Sequence, residues 1–233
     1  PSSIDELGYF IMLAKKVGIP FILDTVGSQI RSGRLGAGSL TFAEGDEIRI
    51  HEHDLVGDRH TISLQPGHIV QQLEPGDLLY VDFESLVLRI SDTSTGPKGY
   101  ISAEVVMGGT LGSNKAVAID AALPRQFLLP PLSEKDYQAI EIGLKEGVGH
   151  IAASFMRSGE FVDAVREATN HSMKIISKIE CTDALKNLDA IIEKSDYLLI
   201  DRGDLSKEIP IEKIPFAQKI IISLSFLGSL GVN

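Results

Sequence analysis

The sequence lacks the features that mark secreted, membrane-spanning or nucleic-acid-binding chains. It has a single cysteine, Cys181, in 233 residues, so no disulfide can form within the chain and a cytoplasmic location is the default expectation. A formal net charge of −10 argues against binding to nucleic acid or to an anionic membrane. The longest strongly apolar run, 220–232, is too short and too rich in serine and glycine to span a membrane, and no signal peptide is evident. The composition, with 43% hydrophobic residues, is that of a globular chain of one or two domains.

The local patterns change character twice along the chain. Residues 1–39 and 123–233 alternate helix and strand, which predicts parallel strands joined by helical crossovers. Residues 40–122 contain short β-like runs separated by turn residues, which predicts an inserted all-β domain. The expected strands of the α/β part are 21–24, 150–155, 174–180 and 197–200, and the expected helices are 4–17, 133–147, 159–169, 182–194 and one from about 212. Ser3 with Glu6 is expected to form a capping box, and Ser133-Glu-Lys-Asp136 is expected to cap the helix that follows it.

Two of the predicted strands end in charged residues. Lys178 and Glu180 close one strand, and Asp201-Arg-Gly-Asp204 follows the next. The carboxyl ends of neighbouring parallel strands meet at one edge of a sheet, where α/β proteins bind ligands. Two carboxylates there can hold a divalent metal, and a lysine beside them can meet a phosphate or a developing enolate.

Each of these signals also has a purely structural interpretation. Lys178 with Glu180 can be a salt-bridged strand end, and residues 202–204 can be a simple turn. Asp24 with Thr25 can be a helix N-cap, and Ser154 can be a buried serine bonded to backbone. The histidines at 51, 53 and 60 have no usual zinc spacing and no cysteine nearby, so we do not expect a metal there. Cys181 is expected to be a packing residue.

The motifs, taken in order, resemble those of the pyruvate kinase family. Asp24-Thr-Val-Gly-Ser-Gln-Ile-Arg31 is similar to the family's Asp-Thr-Lys-Gly-Pro-Glu-Ile-Arg. Similar segments follow at 108–115, 129–136, 151–157, 174–180 and 202–210, in the family's order and spacing. Each motif alone is weak, but together they are specific.

The resemblance implies an α/β fold of the (β/α)8 TIM-type barrel class, only partly represented in this chain, with 40–122 as an inserted β-barrel lid. It implies phosphoryl transfer between phosphoenolpyruvate and ADP, giving pyruvate and ATP, with Mg²⁺ or Mn²⁺ and with K⁺ as a further cofactor. It also implies a homo-oligomer. The family's remaining barrel strands are expected before residue 1 and after residue 233.

The resemblance also implies roles for individual residues. Lys178 would contact the transferring phosphoryl group as the catalytic residue, while Glu180 and Asp204 would hold the divalent metal. The backbone amides of Gly203 and Asp204 would receive the substrate carboxylate. Further substrate contacts are expected from Ser154 and Arg31, and a monovalent-cation site from Asp24 and Thr25.

Several positions depart from the family pattern. Val26 replaces a lysine and Ser28 a proline. Gln29 stands where the family has glutamate in members that need potassium and lysine in independent members, and its neutral amide leaves cation dependence undecided. Phe83 replaces an aspartate of the lid. Asp201 and Ser206 replace alanine and glycine, and Asp201 adds a carboxylate beside the expected metal pair.

Two alternative functions follow from these departures and from fold alone. The first is a non-catalytic module that binds phosphoenolpyruvate or an oxoacid with metal. The second is lyase or aldolase chemistry on an oxoacid, with Lys178 and the same metal pair stabilising an enolate.

Overall fold

The computed structural model describes residue 4 and residues 6–82, 85–120, 125 and 127–229, with side chains described as far as 226. In this part of the chain, the strands are β1 (Leu23–Asp24), β2 (Arg31–Ser32), β3 (Ser39–Phe42), β4 (Glu47–His51), β5 (Thr61–Gln65), β6 (Leu78–Val81), β7 (Leu86–Asp92), β8 (Tyr100–Met107), β9 (Gly109–Gly112), β10 (Val117–Asp120), β11 (His150–Ala153), β12 (Lys174–Ile179) and β13 (Tyr197–Ile200). The helices are α1 (Leu7–Lys16), α2 (Glu134–Lys145), α3 (Gly159–Ala168), α4 (Thr182–Lys186), α5 (Leu188–Lys194), α6 (Arg202–Leu205) and α7 (Ile214–Ser229). Short 3₁₀ helices lie at Gly67–Gln72, Gly96–Lys98 and Ile211–Lys213.

The chain divides into two compact units. The first comprises Pro1–Ser28 with Pro130–Asn233, and the second is the continuous segment Gln29–Leu129. The second unit therefore extends beyond the insert predicted at 40–122 in both directions. The reason is packing, because Ile30 and Leu35 belong to its hydrophobic core and β2 pairs with β5.

The first unit is built on a four-stranded parallel sheet in the order β1-β11-β12-β13. The β strands are joined through helices, as the alternating pattern predicts, and the strand interiors and the apolar faces of the helices form one core. Its fully buried members include Ile151, Ile175, Ile179 and Ile191. All four strands run in one direction, so their carboxyl ends lie at the same edge.

The second unit is predominantly antiparallel. A seven-stranded sheet has the order β10-β6-β7-β8-β4-β5-β2, and β3 pairs with β9 in a separate ribbon. The pairing of β4 with β5 is parallel. Alternating residues of these strands point into a single apolar core, as in Ile48 and Ile50 of β4. The unit thus has the all-β character predicted for the insert.

One predicted helix, 182–194, is wrong in its continuity. The structure has two helices there, α4 and α5, separated at Asn187, whose backbone lies outside helical geometry at φ −108° and ψ 22°. The Asn187 side-chain amide donates to the backbone carbonyls of Arg157 at 2.9 Å and Asp183 at 3.1 Å. An asparagine that bonds backbone in this way competes with helical hydrogen bonding, which accounts for the break.

The helix cap predicted at Ser133 is confirmed and has the form of a capping box, and its aspartate also binds other backbone groups. The Asp136 backbone N–H donates to Ser133 Oγ at 3.2 Å, and Asp136 Oδ2 accepts from the Ser133 backbone N–H at 2.9 Å. The same buried carboxylate also accepts from the backbone N–H groups of Val26 at 2.7 Å and Gly27 at 3.1 Å. It therefore joins the segment after β1 to the start of α2. The capping box predicted at Ser3 cannot be compared, because Ser3 lies outside the described residues.

In the described part of the chain, no helix is both long enough and apolar enough to cross a membrane.

Replacing Asp136 should destabilise the first unit strongly. Asp136→Ala leaves the backbone N–H groups of Val26, Gly27 and Ser133 without their acceptor, so we expect a loss of about 3 kcal/mol or more in the free energy of unfolding. Urea denaturation measures it. The matched control is Glu134→Ala, an exposed acidic residue of the same helical turn, which should cost less than about 1 kcal/mol. Equal losses in the two variants would contradict this role for Asp136.

Candidate active site

The charged residues predicted at the strand ends lie together at the carboxyl edge of the parallel sheet. Lys178 is the penultimate residue of β12 and pairs in register with Leu199 of β13. Glu180 follows β12, and Asp201 follows β13 as the N-cap of α6. On the other side, Thr25 follows β1 and Ser154 follows β11. The prediction that two neighbouring parallel strands end beside each other in charge is confirmed.

Glu180 is the most deeply buried charged group of the site. Its side chain is 0% exposed, and its Oε2 accepts a hydrogen bond from the backbone N–H of Phe155 at 2.7 Å. Phe155 has a left-handed φ of 52°, which is uncommon for a bulky residue. Burial raises the pKa of Glu180, while Lys178 and the Phe155 amide oppose that rise by stabilising the carboxylate.

Lys178 links three of the four strands through its ammonium group. Nζ lies 2.9 Å from Glu180 Oε1, 3.1 Å from Ser154 Oγ and 3.4 Å from Asp24 Oδ1. Burial by itself lowers the pKa of Lys178, but the hydrogen bonds and negative charge of Glu180 and Asp24 outweigh it and raise the pKa overall. Lys178 is therefore held as a cation. It forms with Glu180 the salt bridge at the strand end that the structural interpretation predicts.

Thr25 and Ser154 exchange hydrogen bonds beside Lys178. The Ser154 backbone N–H donates to Thr25 Oγ1 at 2.9 Å, and Ser154 Oγ donates to the Thr25 carbonyl at 2.8 Å. Both residues are buried. Ser154 is thus bonded to backbone, as its structural interpretation predicts, and it also contacts the lysine. The alternative that Asp24 and Thr25 cap a helix is wrong, because the chain continues into β2 instead.

Three carboxylates converge at this edge. Glu180, Asp201 and Asp204 each offer one oxygen, and these oxygens all lie within 4.8 Å of one another. Asp204 Oδ1 is in contact with the ammonium group of Lys207. Asp201 is the extra carboxylate that the sequence places beside the expected metal pair, and the structure brings its oxygen into the same group.

The donor set fits a hard divalent cation. Glu180 Oε1 is buried, and its close polar neighbour among the described residues is the Lys178 ammonium group at 2.9 Å. A buried carboxylate oxygen with an unused lone pair, near other carboxylates, is the kind of ligand that Mg²⁺ or Mn²⁺ takes.

Asp201 also occupies the backbone amides that open α6. Its Oδ1 accepts from the N–H of Gly203 at 3.0 Å and from the N–H of Asp204 at 3.2 Å. These are the two amides that the family resemblance predicts as contacts to a substrate carboxylate, and that role stays a prediction.

Arg31 belongs to the other unit. There its Nη1 donates to the carbonyl of Asn114 at 3.0 Å, and its Nε is buried without a hydrogen bond. Its contribution to substrate binding stays a prediction.

The remaining candidates behave as packing or surface residues. Cys181 is fully buried, and burial raises the pKa of its thiol to about 11, which keeps it protonated. Among the described residues, the one cluster with metal-ligand spacing is the carboxylate group at Glu180, and it does not include His51, His53 or His60.

Comparison with known proteins agrees with this arrangement. The family model of the pyruvate kinase barrel domain matches residues 7–229. A pyruvate kinase of Bacillus licheniformis is 34% identical over 214 residues, which cover 90% of this chain and 36% of that protein. Human pyruvate kinase PKLR is 36% identical over 213 residues, 88% of this chain and 36% of that protein. A pyruvate kinase of Clostridium acetobutylicum is 33% identical over 228 residues, 93% of this chain and 47% of that protein.

The chain thus spans between 36% and 47% of the length of these relatives. The barrel-domain match identifies the four parallel strands and their helices as part of a TIM-type barrel, as predicted. With the motif order, the site geometry and the family match in agreement, the chain belongs to the pyruvate kinase family.

Proposed function

We propose that this chain carries the phosphoryl-transfer site of a pyruvate kinase, acting between phosphoenolpyruvate and ADP to give pyruvate and ATP. The observation that supports it is the buried pair of Lys178 and Glu180, 2.9 Å apart, with Asp204 beside them at the carboxyl edge of a barrel sheet. Phosphoryl transfer depends on positioning and on neutralising charge more than on covalent chemistry. The ammonium group of Lys178, fixed in position next to the convergent carboxylates, provides both the positioning and the charge neutralisation.

Glu180 and Asp204 are the proposed holders of Mg²⁺ or Mn²⁺. Glu180 brings a buried oxygen that lies against the Lys178 ammonium group, and Asp204 brings a partly exposed carboxylate. When bound, the ion supplies neutralisation of the negative charge that phosphoryl transfer concentrates. K⁺ is a proposed second cofactor, near Asp24 and Thr25.

Lys178 is the proposed catalytic residue. Its three contacts, to Asp24, Ser154 and Glu180, fix the ammonium group on three sides, and its side chain remains 13% exposed at the edge. A lysine held in this way donates to phosphoryl oxygens without reorganising first. Ser154 and Arg31 are the proposed further contacts to substrate, and the amides of Gly203 and Asp204 the proposed contacts to its carboxylate.

The broader setting follows from the family. We interpret the second unit, Gln29–Leu129, as the lid inserted into the barrel domain, so that the barrel part is 1–28 and 130–233 and not the predicted 1–39 and 123–233. We further propose a homo-oligomer in the cytoplasm, where the lone thiol of Cys181 stays reduced.

A non-catalytic oxoacid-binding module is the second candidate. Two observations favour it: Val26 stands where the family has a lysine and is exposed, and Asp201 already occupies the amides of Gly203 and Asp204. Such a module would bind metal and oxoacid without transferring the phosphoryl group.

The first test is pyruvate formation from phosphoenolpyruvate and ADP with Mg²⁺, with and without K⁺, by this chain and by any longer native chain. Turnover in either supports the kinase. Binding of phosphoenolpyruvate with Mg²⁺ by calorimetry, without turnover in either chain, would support the binding module instead.

Replacing Lys178 should abolish turnover. We expect Lys178→Ala to lower kcat at least about 10²- to 10³-fold, because the cation that meets the phosphoryl group is lost. The same change leaves the buried Glu180 carboxylate unpaired, at a cost of about 3–5 kcal/mol of folding stability. Lys178→Arg is therefore the matched variant, since it keeps the charge and should retain stability while still losing most activity. Unchanged kcat in the arginine variant would count against a positioned Lys178.

Metal affinity should depend on Glu180 and Asp204. We expect Glu180→Gln and Asp204→Asn each to weaken Mn²⁺ binding at least about tenfold, because each removes a charged oxygen ligand. Titration of the free ion by electron paramagnetic resonance measures it. Asp163→Asn is the control, since Asp163 contacts Lys194 in the same unit, outside the site, and should bind Mn²⁺ like the unaltered chain. Equal affinities in all four proteins would refute the assignment of ligands.

A further inference from the structure

The turn that follows β11 contains a residue with an unfavourable backbone conformation. Phe155 has a φ of 52°, in the left-handed region, although it is neither glycine nor asparagine. A bulky residue keeps such a conformation only where its surroundings hold it there, and such positions are concentrated at functional sites. The Phe155 N–H donates to Glu180 Oε2 at 2.7 Å, and the preceding Ser154 contacts Lys178 at 3.1 Å. The turn therefore carries two of the contacts that organise the charged site.

Arg157 fastens this turn to its surroundings. Its Nη1 donates to Asp183 Oδ2 at 3.1 Å, and its Nη2 donates to the carbonyl of Ser28 at 3.3 Å. Its guanidinium carbon lies 6.0 Å from the centre of the Phe155 ring, within the range of a cation–π contact. The carbonyl of Arg157 accepts from the side-chain amide of Asn187 at 2.9 Å. Both the side chain and the backbone of Arg157 are thus tied to neighbouring segments.

The contacts of Arg157 connect the ends of three strands. Ser28 lies in the segment after β1, Asp183 lies in α4 just beyond β12, and Arg157 itself follows β11. The ammonium group of Lys178 connects the same three strands. A planar guanidinium group bonds in fixed directions, so it constrains the turn more than a flexible ammonium group would. The Arg157 side chain is only 17% exposed, so water screens these bonds less than those of a surface pair.

We propose that Arg157 is a positioning residue of this site, which holds the turn after β11 so that the Phe155 amide stays on the Glu180 carboxylate. Arg157 acts through Phe155 and is not itself a catalytic residue. The inference rests on the proposed function for one consequence, the binding of the divalent metal by Glu180. Groups that orient a metal ligand contribute about 10- to 100-fold to metal affinity, because an oriented ligand loses less freedom when the ion binds.

The charge of Arg157 alone predicts the opposite effect on metal affinity. Removing a cation from the neighbourhood of a divalent-metal site strengthens the attraction between the site and the ion. If Arg157 holds the Phe155 amide, its removal frees the Glu180 carboxylate to rotate, and the ion binds more weakly. A purely structural role lowers stability and leaves the metal affinity of the folded protein unchanged. The sign of the change in affinity therefore separates the three roles.

The experiment compares Arg157→Met with the unaltered full chain, and Asp183→Ala is a second variant that removes one partner of the arginine. Electron paramagnetic resonance measures Mn²⁺ affinity at a temperature where circular dichroism shows each protein to be folded. Hydrogen exchange measures the protection of the Phe155 amide. We expect Arg157→Met to weaken Mn²⁺ binding about tenfold and to speed exchange of this amide about tenfold. Asp183→Ala should change both quantities in the same direction, by less.

Two matched variants serve as controls. Asp183→Asn loses the negative charge but keeps an oxygen that accepts from Arg157, so both measurements should stay close to those of the unaltered chain. Lys186→Ala removes a different, largely exposed cation that lies 3.3 Å from Asp183, and it too should change neither. Equal weakening of Mn²⁺ binding by alanine and by asparagine at position 183 would indicate charge alone and would overturn the proposal.

Unchanged or tighter Mn²⁺ binding in Arg157→Met, or unchanged exchange of the Phe155 amide, would also overturn the proposal. The exchange measurement needs neither metal nor turnover, so this proposal and the proposed function fail separately. If the unaltered chain binds no Mn²⁺, the assignment of Glu180 as a metal ligand fails, while faster exchange in Arg157→Met still supports Arg157 as the residue that holds the turn. If Mn²⁺ binds equally well to both proteins, Glu180 keeps its assignment and Arg157 loses its role.

Discussion

The buried carboxylate of Glu180 is the group around which the edge of the barrel sheet is organised. A carboxylate with no exposure to water is costly unless charge and hydrogen bonds compensate it, and here both are provided by fixed neighbours. The Phe155 amide satisfies one oxygen, and the Lys178 ammonium group lies against the other. Lys178 in turn reaches Ser154 and Asp24, so the ends of three strands are held by one ionic network. The arrangement of these side chains follows from the need to compensate a single buried charge.

How far the sequence predicts this arrangement depends on the kind of interaction. Lys178, Glu180 and Asp204 could be predicted, because charged residues that follow apolar strands of a parallel sheet lie at its carboxyl edge, where ligands bind. The helix cap of Ser133 and Asp136 could also be predicted, because it depends only on residues three apart. Both signals are local or periodic, and the structure shows each of them.

Other features depend on contacts that no local pattern reports. The left-handed φ of Phe155 is set by the turn after β11, and the sequence gives no glycine or asparagine there to signal it. The break at Asn187 arises from a bond to Arg157, thirty residues away in the chain. Asp201 was recognised as an extra carboxylate, but its engagement with the two amides requires the actual turn of the backbone. In each case a tertiary or backbone detail decides what a side chain does.

The division of the first unit into two segments has a consequence for how the chain folds. Leu23 of β1 pairs with Ile151 of β11, and Asp136 binds the amides after β1, so both contacts close over the whole second unit. The second unit is a continuous segment and requires no such loop closure. It is therefore able to form its core before β1 pairs with β11 in the first unit. The entropy of closing a loop rises only with the logarithm of its length, by about 0.6 kcal/mol for each doubling. Lengthening or shortening the inserted unit therefore changes the entropy of closing the first unit very little. The barrel part tolerates insertions of different sizes at this point for that reason.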